Sequence, residues 1–338
     1  VFATGMIAGI YLVLTAGLGI WFGSLVDHHG KRLMMLVSSF ASLSLYIAAF
    51  AGHALYPDIR GAETRSLALW FFILVTMLAV IVGNIRMIAL PTLVTLLVPE
   101  DRRDKANGLV GMVSGIGFLT TSAISGFLAA WGGMAGTLGF AIGFTLIAIF
   151  HLLFVHVNEP RNAEAEDGPR RIDLSGTMKV VLAIPGLIAL ILFTTFNNLL
   201  GGVFMALMDA YGLSLMKVQE WGLLWAVISC AFIFSGMVIA RTGLGANPVR
   251  TLLLVNLLAW IMAVFFTIQS SILLLAVGCF IWMFLGPYAE AAEQTTLQKV
   301  VPYERQGRVF GFAQSVEQSA SPLTAFLIAP LTQFVFVP

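Results

Sequence analysis

The sequence predicts an all-α protein that crosses a membrane many times, and three observations carry that reading. Ten long apolar stretches run along its 338 residues, 59% of the chain is hydrophobic while only 10% is charged, and the basic residues gather in every second loop. A soluble globular chain keeps its apolar share nearer half and its charged share nearer a quarter. The ten stretches read as helices at roughly 3 to 24, 33 to 53, 67 to 90, 108 to 131, 136 to 157, 181 to 206, 219 to 240, 251 to 268, 271 to 296 and 308 to 334. Each is long enough to cross a ~30 Å hydrocarbon layer, which takes about 20 apolar residues.

The loops between them sort by charge. Lys31 and Arg32 follow the first stretch, and Arg102, Arg103 and Lys105 follow the third. Arg161, Arg170, Arg171 and Lys179 follow the fifth, Arg241 and Arg250 the seventh, and Lys299, Arg305 and Arg308 the ninth. The opposite loops hold Arg60, Arg65 and Lys217. Loop Lys and Arg set orientation, so the richer set is expected on the cytoplasmic side. One basic residue, Arg86, lies inside a stretch.

The polar run 158–180 divides five stretches from five, predicting an N-terminal bundle over 1–157, a cytoplasmic linker, and a C-terminal bundle over 181–338. The halves resemble each other. Val98, Pro99, Arg102, Lys105 and Gly108 recur 203 residues later as Val301, Pro302, Arg305, Arg308 and Gly311. A weaker match aligns Gly23 and Gly30 with Gly236 and Gly243, with Ala240 where the first copy has Asp27. Secondary transporters are often built from such repeats, with the substrate near the midplane between them.

The loop Gly23-x-x-x-Asp27-x-x-Gly30-Lys31-Arg32 fills the Gly-x-x-x-Asp-x-x-Gly-Arg/Lys-Arg/Lys signature of the major facilitator superfamily. Taken with the helix count, the chain resembles that family. Within it, the Val-Pro-x-x-Arg turns are similar to those of bacterial drug:proton antiporters of the multidrug and siderophore-exporter branch. The family has twelve helices, so the resemblance implies a fragment carrying helices two to eleven. One departure stands out: Thr121-Ser122-Ala123-Ile124-Ser125-Gly126 occupies the place where such antiporters often carry Gly-Pro-x-x-Gly-Gly.

The resemblance implies that Asp27 faces the start of helix eleven, where unpaired N-terminal amides favour negative charge by ~0.3 to 1 kcal/mol. Such a contact would latch the cytoplasmic side, with Gly23, Gly30, Lys31 and Arg32 shaping the loop; a local anchor for Lys31 and Arg32 is the plainer reading. Intramembrane charges cost ~2.5 to 3.5 kcal/mol each on insertion scales and are seldom kept without use. Arg86 lies 13 residues before Pro99 and Glu290 lies 12 before Pro302. At 1.5 Å per residue both sit near mid-depth, and the family faces helices four and ten across its cavity, so the two are expected to pair.

Glu293 and Gln294 share a helix face with Glu290, an arrangement suited to proton exchange or to packing. Gln314, Glu317, Gln318 and Ser321 form a second polar stripe, expected as an interhelical seam or a coupling group. Asn197, Asn198, Gly201 and Gly202 suggest a substrate contact or a kink.

Other chemistries find no support in the residues. A net charge of +1 leaves no footprint for nucleic acid, Cys230 and Cys279 fall inside apolar stretches, and the five histidines lack metal-ligand spacing. There is no Gly-x-x-x-x-Gly-Lys-Ser/Thr loop for ATP. The expectation is a monomeric, cofactor-free secondary active transporter of a bacterial inner membrane, driving proton-coupled efflux of amphipathic small molecules. An uncoupled or importing carrier, or a non-transporting lipid-moving or sensor relative on the same scaffold, is the alternative.

Overall fold

A computed structural model describes residues 2–55, 67–128, 132–157, 159 and 174–331. Most of the expected linker, together with Arg60, Arg65, Arg161, Arg170 and Arg171, lies outside these residues. All regular structure among the described residues is helical. The helices are α1 (Phe2–His28), α2 (Lys31–Leu55), α3 (Leu67–Leu97), α4 (Arg103–Phe127), α5 (Gly133–Phe154), α6 (Leu174–Ala183), α7 (Leu187–Leu215), α8 (Val218–Thr242), α9 (Pro248–Thr267), α10 (Ile272–Val300) and α11 (Gln306–Leu331). Seven helices among the described residues are long and apolar enough to cross a membrane. The protein is a multi-pass membrane protein.

Two of the boundaries that differ from expectation do so for a backbone reason. The stretch expected at 67–90 continues through Pro91 to Leu97, because in lipid an opened backbone costs more than the one N–H that proline removes. The helix expected to begin at 181 breaks instead: α6 ends at Ala183, Gly186 takes a left-handed φ of 81°, and α7 starts at Leu187. Pro185 has no N–H to extend α6, and Gly186 adopts the positive φ without a Cβ clash.

The chain forms two compact units: Val1–Leu93, Ser125–Pro185 and Glu304–Pro322 make the first, and Val94–Ile124, Gly186–Tyr303 and Leu323–Pro338 the second. Thus α4 is built into the second unit and the start of α11 into the first. In the first unit α2 packs on α5 and touches α1. Ala49, Phe72, Val75 and Leu138 form an apolar cluster there, and Ser38 and Ser42 of α2 donate to the Val82 and Ala79 carbonyls of α3 at 2.9 and 2.8 Å.

The second unit is centred on α10, which packs along α9 and α8. Its core gathers Met208, Trp221, Ile228, Phe266, Leu275, Cys279 and Met283. Gly278 lets α10 approach α9 so closely that a Cβ there would stand 2.5 Å from the Phe266 Cβ. Lipid tails are as apolar as leucine, so close packing over small residues and interhelical hydrogen bonds hold such helices together.

Candidate functional site: two helix contacts and a pocket

In the first unit the contact between α1 and α11 is built on glycine. A Cβ on Gly23 would run into the Gly307 carbonyl, and one on Gly311 into the Gly19 carbonyl. With the backbones this close, Asp27 at the end of α1 reaches the first turn of α11. Its Oδ1 accepts from the Gly307 N–H at 2.7 Å, and its Oδ2 accepts from the Arg308 N–H at 2.9 Å and from Arg308 Nε at 3.3 Å. Asp27 is 1% exposed. A buried carboxylate is tolerable here because orphan helix-terminal amides and a guanidinium receive it.

The rest of the signature loop ties α2 into the same unit. Glu159 caps the start of α2, accepting from the Lys31 and Arg32 amides at 2.6 and 2.8 Å. Arg32 returns the favour to α5, donating through Nε to the Leu152 carbonyl at 3.2 Å and through Nη2 to the Leu153 carbonyl at 2.8 Å. Cations belong at a helix C-terminus, where carbonyls lack partners.

The second unit holds a contact of the same design between α4 and α8. A Cβ on Gly236 would meet the Met112 backbone nitrogen, and one on Gly108 would stand 2.9 Å from the Ala240 nitrogen. The acid here is Asp104, whose Oδ2 accepts from the Leu244 N–H just past the end of α8 at 2.9 Å. Beside it Arg103 fans out over two helix ends. It donates to the Thr95 and Val98 carbonyls of and after α3 at 3.0 and 3.3 Å, and to the Gln298 carbonyl of α10 at 3.2 Å. Below that, Asn107 Nδ2 donates to Thr295 Oγ1 at 2.8 Å and to Gln298 Oε1 at 3.0 Å, and Gln298 Nε2 donates back to Asn107 Oδ1 at 3.3 Å. Lys299 pairs with Glu100 at 3.6 Å, both well exposed, so this pair adds little.

The intramembrane residues singled out in the sequence fall as follows. Arg86 in the first unit donates to Ser39 Oγ at 3.2 Å and to Ser38 Oγ at 3.5 Å. Glu290 in the second unit is exposed, whereas Glu293, one turn further, is buried. Gln294 Oε1 is buried without a hydrogen-bond partner. On α11, Glu317 is half-buried and Gln318 exposed. The Ser321 side chain lies outside the described residues.

Asn197 and Asn198 stand at a pocket within the second unit, of about 200 Å³. Four helices line it: α7 with the two asparagines and Gly201, α8 with Phe232, α9 with Asn256 and Trp260, and α10 with Trp282 and Gly286. Trp260 Nε1 donates to Asn197 Oδ1 at 2.6 Å, and Asn197 Nδ2 donates to the Phe193 carbonyl at 2.8 Å, so that amide is held from both ends.

Comparison with known proteins decides the family. Residues 1–325 match the description "Major Facilitator Superfamily". The chain belongs to the major facilitator superfamily. Transport, rather than catalysis, is the activity of this family and of its solved relatives. The human organic anion transporter MFSD10 (TETRAN) matches at 16% identity with a TM-score of 0.69, over 98% of this chain and 78% of its own. A bacterial homologue of the iron transporter ferroportin in an outward-facing state matches at 16% and 0.69, over 98% and 83%. The proton:xylose symporter XylE matches at 12% and 0.70, over 98% and 81%. At these identities the likeness is one of fold. No curated protein matched the sequence.

Within this facilitator fold, Asp27 is marked by its motif, whereas Arg103, Asp104 and Asn107 belong to no such motif. A signal was present: the repeat places 103–107 at the same helix start as 306–310, where Asp27 binds.

Proposed function

We propose that the protein is a proton-coupled exporter of amphipathic small molecules that works by alternating access in a bacterial inner membrane, with its central linker cytoplasmic. The observation that carries alternating access is the Asp27 clamp on α11. Its glycines set backbone against backbone at Gly23, Gly307 and Gly311, and each hydrogen bond can be exchanged for one with water when the helices part. An interaction formed in one of two states biases the equilibrium by its own free energy. Asp27, with Gly23, Gly30, Lys31 and Arg32 shaping its loop, is that latch in our reading.

Coupling is assigned to Glu290, exposed on α10, with Glu293 and Gln294 on the same face, and to Arg86. Glu317 is the reserve acid. Asn197 and Asn198 contact substrate. The chain transports as a monomer composed of the bundles 1–157 and 181–338. Retained charges at membrane depth are expensive and mark ion pathways. A second reading, an uncoupled or importing carrier, is favoured by α4, which runs helical through Thr121–Gly126 without the Gly-Pro of the exporters.

Proteoliposomes test this. Adding substrate should move protons across the membrane, and Glu290→Gln should abolish pH-driven uphill efflux while downhill exchange persists. Efflux in Glu290→Gln vesicles that still follows an imposed pH gradient would sink the assignment. For orientation, an impermeant thiol reagent should label a cysteine at position 61 and miss one at 165 in intact cells.

A further inference from the structure

The pocket among α7, α8, α9 and α10 has a composition that restricts what it can hold, and this inference rests on the proposed role of Asn197 and Asn198 in substrate contact. No charged side chain lines it; the walls are asparagine amides, indole and phenyl rings, and aliphatic groups. A charged ligand entering such a place would lose its hydration without gaining a counter-charge, a penalty of several kcal/mol even after relaxation. A purely apolar ligand would leave the Asn256 amide oxygen facing it without a donor, which is also unfavourable. The volume of about 200 Å³ is below the ~300 Å³ at which pockets for drug-sized ligands begin.

The amides are positioned rather than loose. Asn197 is fixed by Trp260 and by its own helix. Asn256 donates one N–H to the Leu252 carbonyl at 2.9 Å, which leaves its amide oxygen as an acceptor at the pocket wall. Trp282 is held by Phe204, ring centroids 4.9 Å apart. Rigid aromatic faces beside a fixed amide edge suit a ring that is apolar on its face and polar on its rim. The geometry points to a binding site for a small neutral ring molecule that hydrogen-bonds along one edge. The pocket selects its ligand by neutrality, and cationic and anionic amphipaths are excluded from it.

Isosteric probes separate charge from shape: nicotinamide, its anionic counterpart nicotinate, and its cationic counterpart 1-methylnicotinamide, with methyl β-D-xylopyranoside as a saturated neutral ring. Equilibrium binding to the full chain in nanodiscs, without any gradient, should show at least one neutral probe saturating and both ions at least tenfold weaker. Asn256→Leu should weaken the neutral probe at least tenfold. Gly201 faces open space, and a Cβ there meets no atom within 4 Å; Gly201→Ala should therefore bind as wild type, while Gly201→Leu should fill the pocket and abolish binding. An ion that binds more tightly than its neutral counterpart overturns the proposal. So does a neutral probe indifferent to both Asn256→Leu and Gly201→Leu, or a panel in which neither neutral ring binds. Because no proton gradient enters the measurement, loss of pH-driven efflux with binding intact would count against the coupling assignment alone.

Discussion

In the first unit α1 meets α11 across Gly19, Gly23, Gly307 and Gly311, and the acid, Asp27, comes from the C-terminal end of α1. In the second unit α8 meets α4 across Gly236 and Gly108, and the acid, Asp104, comes from the N-terminal turn of α4. The repeat pairs Gly23 with Gly236 and Gly108 with Gly311, so it preserves the backbone approach while the acid changes sides. What persists between the copies is the small residue, because no side chain can be added where two backbones touch. The polar chemistry is free to move, since any carboxylate within reach of an exposed amide can take up the role.

The two contacts also differ in strength. Asp27 is fully buried with three donors, each hydrogen bond to a charged group being worth about 1.5 to 3 kcal/mol. Asp104 is half-buried and receives one distant amide, and the second contact leans instead on Arg103 and the Asn107 amide pair.

The largest effect is expected where backbone meets backbone. Gly311→Val and Gly236→Val should each reduce transport in proteoliposomes at least a hundredfold, whereas Gly117→Val, at a position where a Cβ meets nothing within 4 Å, should stay within about threefold. A silent Gly236→Val would show that the second contact is not the equivalent of the first.

Next comes Asp27→Asn. It keeps one acceptor but turns an NH₂ group toward the Arg308 donors, a loss of about 2 kcal/mol or some thirtyfold in the latched population. Initial transport rates should fall by about that factor with expression unchanged. Rates equal to wild type would reduce Asp27 to an anchor for its loop.

The amide pair of the second contact should show a non-additive pattern. Asn107→Leu removes both hydrogen bonds that join it to the buried Gln298 amide, 2% exposed, and should lower thermal stability by about 1 to 3 kcal/mol, whereas adding Gln298→Leu should recover part of that loss. A double variant worse than the sum of its parts would contradict the pairing. The smallest expected effect belongs to Asp104→Asn, within about fivefold on rate. In an Asp104→Ala background, Ala240→Asp should restore the second contact in the arrangement of the first, read as regained transport; no recovery would mean that the two helix pairs differ in more than the owner of the acid.

The helical spans could be read from the chain alone because apolar length is a local property measured against hydrocarbon thickness. Asp27 could be named because its neighbours Gly23, Gly30, Lys31 and Arg32 form a pattern within ten residues. The same local reading stopped at Pro91 and ran across Gly186, because it weighs backbone propensity without the penalty that lipid places on an opened helix. Tertiary structure alone decided that Arg103 covers carbonyls from α10, that Asn107 pairs with Gln298 191 residues away, and that Asp104 takes the role Ala240 lacks. It also decided that Arg86 turns to Ser38 and Ser39 within its own unit. Those partners are backbone groups or small polar side chains brought near by folding, and backbone amides and carbonyls are the same at every position in the sequence.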